Sequence, residues 1–161
     1  MPTIEEKIAD LGLYIPPPLV LPPGFTLPFP WVRIRGNRAF ISGHGPQNSD
    51  GTVAGPLGKV GAEVSVEQAH HSAMLVGLSI LGSLHRELGS LDRVASWLKV
   101  LGMVNSAPGF HQQPSVINGF TGLILTLYGP ERGAHARSAV GMAGLPWNLP
   151  VEIEGEVEIC T

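Results

Sequence analysis

The apolar positions along the chain recur with two periods, and these divide it into helices and strands. Ile4, Ile8 and Leu11 lie at helical spacing behind Thr3 and Glu6, a capping-box pair, and Gly12 follows; a short helix is predicted from about Thr3 to Leu11. Ser65 and Gln68 form a second capping box ahead of Ala69, Ala73, Val76, Ile80, Leu84 and Leu88, which predicts a long helix over about Val66 to Leu88, closed by Gly89. Ala73, Gly77 and Ser79 keep this helix slim enough to sit close on a sheet. A further helix is predicted from Ser115 to Leu127, carried by Val116, Ile117, Phe120, Ile124 and Leu127 and stopped by Gly129-Pro130.

The strands read differently. Trp31–Arg35 and Arg38–Ser42 flank Gly36-Asn37, a pair suited to a tight hairpin because both residues accept positive φ. Arg93 to Val104 reads as a buried strand containing Trp97 and Val100, and Arg137–Met142 as a strand of small residues. Val151–Ile159 has a strict period of two, with Val151, Ile153, Val157 and Ile159 on one face and Glu152, Glu154, Glu156 and Glu158 on the other. The order is β-β-helix-β followed by helix-β-β, a duplicated β-α-β layout of the α+β class with two helices on one face of a mixed sheet.

Pro-rich residues 14–30 interrupt this regularity. Leu19, Val20, Leu21, Phe25, Leu27 and Phe29 stand among the prolines, too apolar to float in water. A strap on the protein's own surface or a neighbour's is expected; a linker and a polyproline ligand are the alternatives. Residues 1–30 are accordingly read as a helix and strap belonging to the same unit as residues 31–161.

Composition narrows the class. A chain of 161 residues with 43% hydrophobic and 14% charged residues suits one folded domain. A net charge of −3 lacks the basic footprint of a nucleic-acid binder. The single cysteine, Cys160, cannot form an internal disulfide. The acidic, amphipathic start does not resemble a secretory signal, and the longest oily run, Ala73 to Leu84, is broken by Gly77, Ser79, Gly82 and Ser83. The expectation is a soluble cytoplasmic protein that does not engage a membrane. His70 and His71 are adjacent and diverge on a helix, so the six histidines suggest no metal site.

The acidic strand face has two readings: a solvated surface with Arg137 as an ion-pair partner, or a site. Paired as a hairpin across Leu145–Pro150, the last two strands would put Arg137 and Glu152 on neighbouring strands. A guanidinium and a carboxylate near one cleft could hold an anion and handle a proton.

Three blocks favour the site. Arg137-Ser138, Val140, Leu145-Pro146 and Val151-Glu152-Ile153-Glu154 closely resemble the C-terminal signature of the YjgF/RidA family of enamine/imine deaminases, also labelled endoribonuclease L-PSP. Gly36-Asn37, Phe40-Ile41-Ser42-Gly43 and Pro46 resemble its N-terminal strand block, and Ile117-Asn118-Gly119-Phe120 a helix block. The resemblance covers about residues 29–160 and implies a chorismate-mutase-like fold assembled as a homotrimer, with ligand clefts between subunits. It also implies cofactor-free hydrolysis of 2-imino acids to 2-oxo acids and ammonia. In that scheme Arg137 binds the substrate carboxylate and Glu152 manages water and proton. Ser42, Gly43, Asn118, the Ala139 backbone and Trp31 line the cleft.

Two positions depart from the family pattern: Ala139 stands where a Cys is frequent, and Phe29-Pro30-Trp31 where a Tyr precedes the first strand. The Pro-rich leader and the His111–Pro114 loop mark a longer branch. His44 has no settled counterpart and reads either as an ordinary loop histidine or as a site residue. The alternative functions are a non-catalytic carboxylate-binding protein on the same scaffold and an endoribonuclease.

Overall fold

The computed structural model describes residues 1–161. The elements in chain order are α1 (Ile4–Asp10), β1 (Val32–Arg35), β2 (Arg38–His44), α2 (Val66–Leu88), β3 (Val94–Asn105), α3 (Gln113–Arg132), β4 (Ala136–Met142) and β5 (Val151–Ile159). Both expected capping boxes are formed, Thr3 with Glu6 and Ser65 with Gln68, and Gly89 ends α2 in the left-handed conformation. The α3 backbone leaves the helical region at Gly129 (φ 76°), so the final turn is a separate piece beyond the expected Gly-Pro stop.

The five strands form one mixed sheet in the order β1-β2-β5-β3-β4, with β3 and β4 parallel and the other pairs antiparallel. The expected α+β class and YjgF-type, chorismate-mutase-like architecture are therefore observed. The hairpin between the last two strands is not. β4 lies at the sheet edge beside β3, while β5 is inserted between β2 and β3. The burial pattern explains the order. Val151, Ile153, Val157 and Ile159 are all buried, which suits a strand with neighbours on both sides. In β4, Ala136, Ser138, Val140 and Gly141 are exposed, as at an edge.

Helices α2 and α3 cover one face of the sheet, and the core of 33 buried residues lies between them and it. The two helices touch at Gly119, where an added Cβ would collide with the carbonyl oxygen of His70. The opposite sheet face has no helix over it; there Phe40 is 42% exposed and Val140 37%. No helix is long and apolar enough to cross a membrane.

The N-terminal residues pack on this frame. Ile4 and Ile8 are buried in the core, Lys7 Nζ donates to the Leu127 carbonyl at 2.9 Å, and Glu5 accepts from the Leu91 N–H at 2.6 Å. Along the following segment, the Tyr14 hydroxyl donates to the Gln47 carbonyl at 2.7 Å. Arg86 donates to the Pro16 carbonyl and Gln47 Nε2 to that of Pro17, while the Val20 N–H bonds Gly51. Carbonyls of the prolines thus find donors on α2 and on the loop after β2.

Candidate functional site

The expected site residues fall into two groups, on opposite faces of the sheet. Arg137 pairs in register with Val100, whose side chain is in the core, so Arg137 lies on the helix-covered side. Glu152 pairs with Met103, which lies between the core-facing Gly102 and Val104, so Glu152 points to the uncovered side. With β3 between their strands and three residues of offset along it, about 10 Å separates them in each direction within the sheet. One chain does not bring Arg137 and Glu152 into one cleft.

The first group is built on the β4 edge and α3. The Arg137 guanidinium donates to Thr121 Oγ1 at 3.0 Å and to the Pro114 carbonyl at 3.3 Å. Pro114, Asn118 and Thr121 follow at helical spacing along one stripe of α3, so the exposed Asn118 stands beside the arginine. Ala139, two residues on in β4, shares the face of Arg137 and packs against the core. Thr121 is also 3.0 Å from His135 Nε2, while His135 Nδ1 is 2.7 Å from the Gly133 carbonyl. A carbonyl only accepts, so Nδ1 carries the proton and the Thr121 hydroxyl donates to Nε2. Burial holds the His135 pKa below its usual value, and the Arg137 charge adds to that, against the raising effect of the Gly133 bond. The result is a fixed chain, Arg137 to Thr121 to His135, that orients one edge of the guanidinium.

The second group surrounds Glu152. Antiparallel pairing of β2 with β5 slips between Ile41 and His44, leaving Ser42 and Gly43 as a bulge. The bulge lays Gly43 over the Glu152 carboxylate: an added Cβ would lie 2.7 Å from Oε2. Ser42 is tied back, its hydroxyl donating to the Pro30 carbonyl at 2.8 Å. Burial raises the Glu152 pKa above the ordinary carboxylate value, and the neighbouring Glu154 charge raises it further.

His44 is a buried tie. Its Nδ1–H donates to the Ser42 carbonyl at 2.6 Å, and its Nε2 accepts from Ser83 at 2.8 Å. Arg86 donates to the same Ser83 oxygen at 3.1 Å. Burial, with the Arg86 charge, pushes the His44 pKa down to about 4 although the Ser42 bond opposes it. The ring is neutral near pH 7, and its centroid lies 4.7 Å from that of Trp31.

A cavity of about 240 Å³ opens beside Glu152, walled by Trp31, Gly43, Leu149 and the proline-rich segment. Its rim includes Trp147, whose φ of 55° and that of Asn148 at 58° are left-handed. Such geometry costs about 1–2 kcal/mol per non-glycine residue. Asn105 offsets it by donating to Asn148 Oδ1 at 3.2 Å, as does the Gly58 N–H to the Asn148 carbonyl at 2.8 Å.

Similarity to known proteins supplies the family. No family model matches the chain. Protein TCP17 of Trypanosoma cruzi is 38% identical over 124 residues, 77% of this chain and 76% of that protein. The structure of Atu1372 from Agrobacterium tumefaciens, described as of unknown function, superposes with a TM-score of 0.87 at 38% identity, covering 99% of this chain and 94% of that one. A Shewanella oneidensis protein provisionally named an endoribonuclease reaches 0.85 at 23% identity over 98% and 100% of the two chains. RidA from an Antarctic Psychrobacter shares the fold at 0.54 and 22% identity over 85% and 93%. The chain belongs to one family with TCP17 and Atu1372, and it has the fold of RidA and of the proteins provisionally named endoribonuclease L-PSP.

Two of the residues expected to line the cleft bring little polar chemistry to it. Trp31 lies tilted against His44 and offers no hydroxyl. Ala139 leaves no side-chain chemistry beside Arg137. Thr121 and His135 escaped the sequence reading, although Thr121 lies one helical turn past Asn118 and His135 shares the strand side of Arg137. The cavity walls also escaped it, because leucines in a proline-rich segment carry no periodic signal.

Proposed function

We propose that this chain hydrolyses 2-imino acids, or their enamine tautomers, to 2-oxo acids and ammonia without a cofactor, in clefts completed between copies of itself. The observation that carries the reading is the split site: an anchored guanidinium on one sheet face and a half-buried carboxylate of raised pKa on the other. Each copy then supplies one half to each of two clefts. A homotrimer, the arrangement implied by the family, would close the ring with three sites. The uncovered sheet face, bearing Phe40, Leu101 and Val140, is the natural surface to bury in it. Residues 1–30 are read as part of the same unit as residues 31–161.

In the cleft, Arg137 and a backbone N–H near Ala139 hold the substrate carboxylate; the planar guanidinium fork pairs with it bidentately. Glu152 of a second copy accepts a proton from water as the water oxygen adds to the imine carbon. It returns that proton to nitrogen to give the carbinolamine, then carries the hydroxyl proton to the same nitrogen, so that the C–N bond breaks and ammonia leaves as the carbonyl forms. The overall balance is imino acid plus water giving 2-oxo acid plus ammonia. An imine carbon is already electrophilic, so the work left to the protein is orientation and proton transfer. A raised carboxylate pKa helps, because the protonated form must be reachable during turnover.

The test is ammonia and 2-oxo acid formation from imino acids released in situ by an amino-acid oxidase. Acceleration over the spontaneous rate is expected. Binding of 2-oxo acids with no acceleration would instead identify a carboxylate-binding protein. The net charge of −3 gives the endoribonuclease reading no electrostatic support.

A further inference from the structure

The cavity beside Glu152 is larger than carboxylate chemistry alone requires. Its volume of about 240 Å³ exceeds the roughly 150 Å³ of an apolar cavity that accommodates a benzene ring. Leu19, Leu21, Leu27 and Phe29 of the proline-rich segment form one side, with Trp147 and Leu149 opposite. The nitrogen atoms of its polar side chains are engaged within the chain. Gln47 Nε2 donates to Pro17, and both His44 ring nitrogens have partners. The Glu152 carboxylate accepts no hydrogen bond within the chain.

We propose that this cavity is a side-chain subsite that selects imino acids bearing a large apolar or aromatic side chain, with the proline-rich segment as its specificity-determining wall. The inference rests on the imine-hydrolase reading and adds the substrate class. A phenyl or isobutyl group would fill the cavity and shed water against the leucines. An acidic side chain would meet the Glu152 carboxylate, a like charge in a half-buried place. Proline suits such a wall, because its fixed φ reduces the freedom the segment would otherwise lose on binding.

The experiment compares kcat/KM for imines generated in situ from alanine, leucine, phenylalanine and glutamate, and binding of pyruvate and phenylpyruvate by calorimetry. A single methylene in an apolar pocket is worth about 10-fold or more. The phenylalanine imine should therefore exceed the alanine imine by on the order of 10²-fold, with the glutamate imine poorest. Leu21→Trp, which fills the cavity, should lower the phenylalanine-to-alanine ratio at least about 10-fold. Phe29→Ala, at an exposed side chain whose loss leaves the core intact, should lower it too. A ratio near one in the native protein, or one unmoved by both variants, overturns the subsite while leaving the hydrolase reading standing. If no imine is turned over, binding decides. Phenylpyruvate favoured over pyruvate, with the preference erased by Leu21→Trp, upholds the subsite and removes the hydrolase. Equal binding, or none, removes the subsite as well.

Discussion

Replacing Glu152 by Gln should raise stability and lower activity together, a pairing that a surface glutamate cannot produce. In the folded chain, burial and the Glu154 charge hold the Glu152 pKa above its ordinary value. A carboxyl whose folded pKa exceeds its unfolded one binds more protons in the folded state between the two values. Its contribution to stability is therefore fully present below the unfolded pKa and falls as pH rises through the folded one. At neutral pH the native protein keeps this destabilisation, and the neutral amide relieves it. Gln also retains the shape beneath Gly43, where an added Cβ would lie only 2.7 Å from the carboxylate. What Gln cannot do is accept the proton. A positioned general base is worth about 10²–10⁴-fold, so turnover should fall at least about 10²-fold, or roughly 2.7 kcal/mol of transition-state stabilisation.

Glu156 provides the control on the same sheet face. It pairs with Arg38 at 2.7 Å in a partly exposed bridge, the kind that contributes about 0–1 kcal/mol. Glu156→Gln should lose a little stability and little turnover. The assays are denaturant midpoints at pH 5 and 8 and 2-oxo acid formation, with both variants side by side. The midpoint gap between Glu152→Gln and the native protein should widen from pH 5 to pH 8. Equal, small effects from both substitutions, with no pH-dependent gap, would refute the reasoning and leave an ordinary acidic face.

Arg137→Lys should fold normally yet lose most turnover, since the fork that reaches both Thr121 and Pro114 is gone; about 1.5–3 kcal/mol is expected from the lost charge-assisted bonds, read as kcat/KM. Full imine turnover by a folded Lys variant would remove Arg137 as the anion anchor. Light scattering at micromolar concentration should give three times the chain mass, and a monomer mass would sink the shared cleft. Gly43→Ala should disturb turnover more than stability, because the new methyl presses on the movable Glu152 carboxylate. Unchanged kinetics in that variant would show that the bulge does not position the carboxylate.

Local order was written into the sequence. Capping boxes at Thr3 and Ser65, the αL glycine after α2 and the Gly-Pro break within α3 act through neighbours within a few residues, so the chain itself announces them. The period-two pattern of Val151–Ile159 likewise told which of its side chains are buried. It did not tell which strand would lie beside them. Partner choice in a sheet depends on contacts distant in sequence, and the insertion of β5 between β2 and β3 placed Arg137 and Glu152 on opposite faces, though they are 15 positions apart in the chain. Alternation shows that two residues of one strand share a face; across strands, only the register decides. The same holds for the cavity. Leu19, Leu21 and Leu27 form a wall because Arg86, Gln47 and Gly51 capture the segment's backbone from elements 30 to 70 residues away, and no local pattern encodes such bonds.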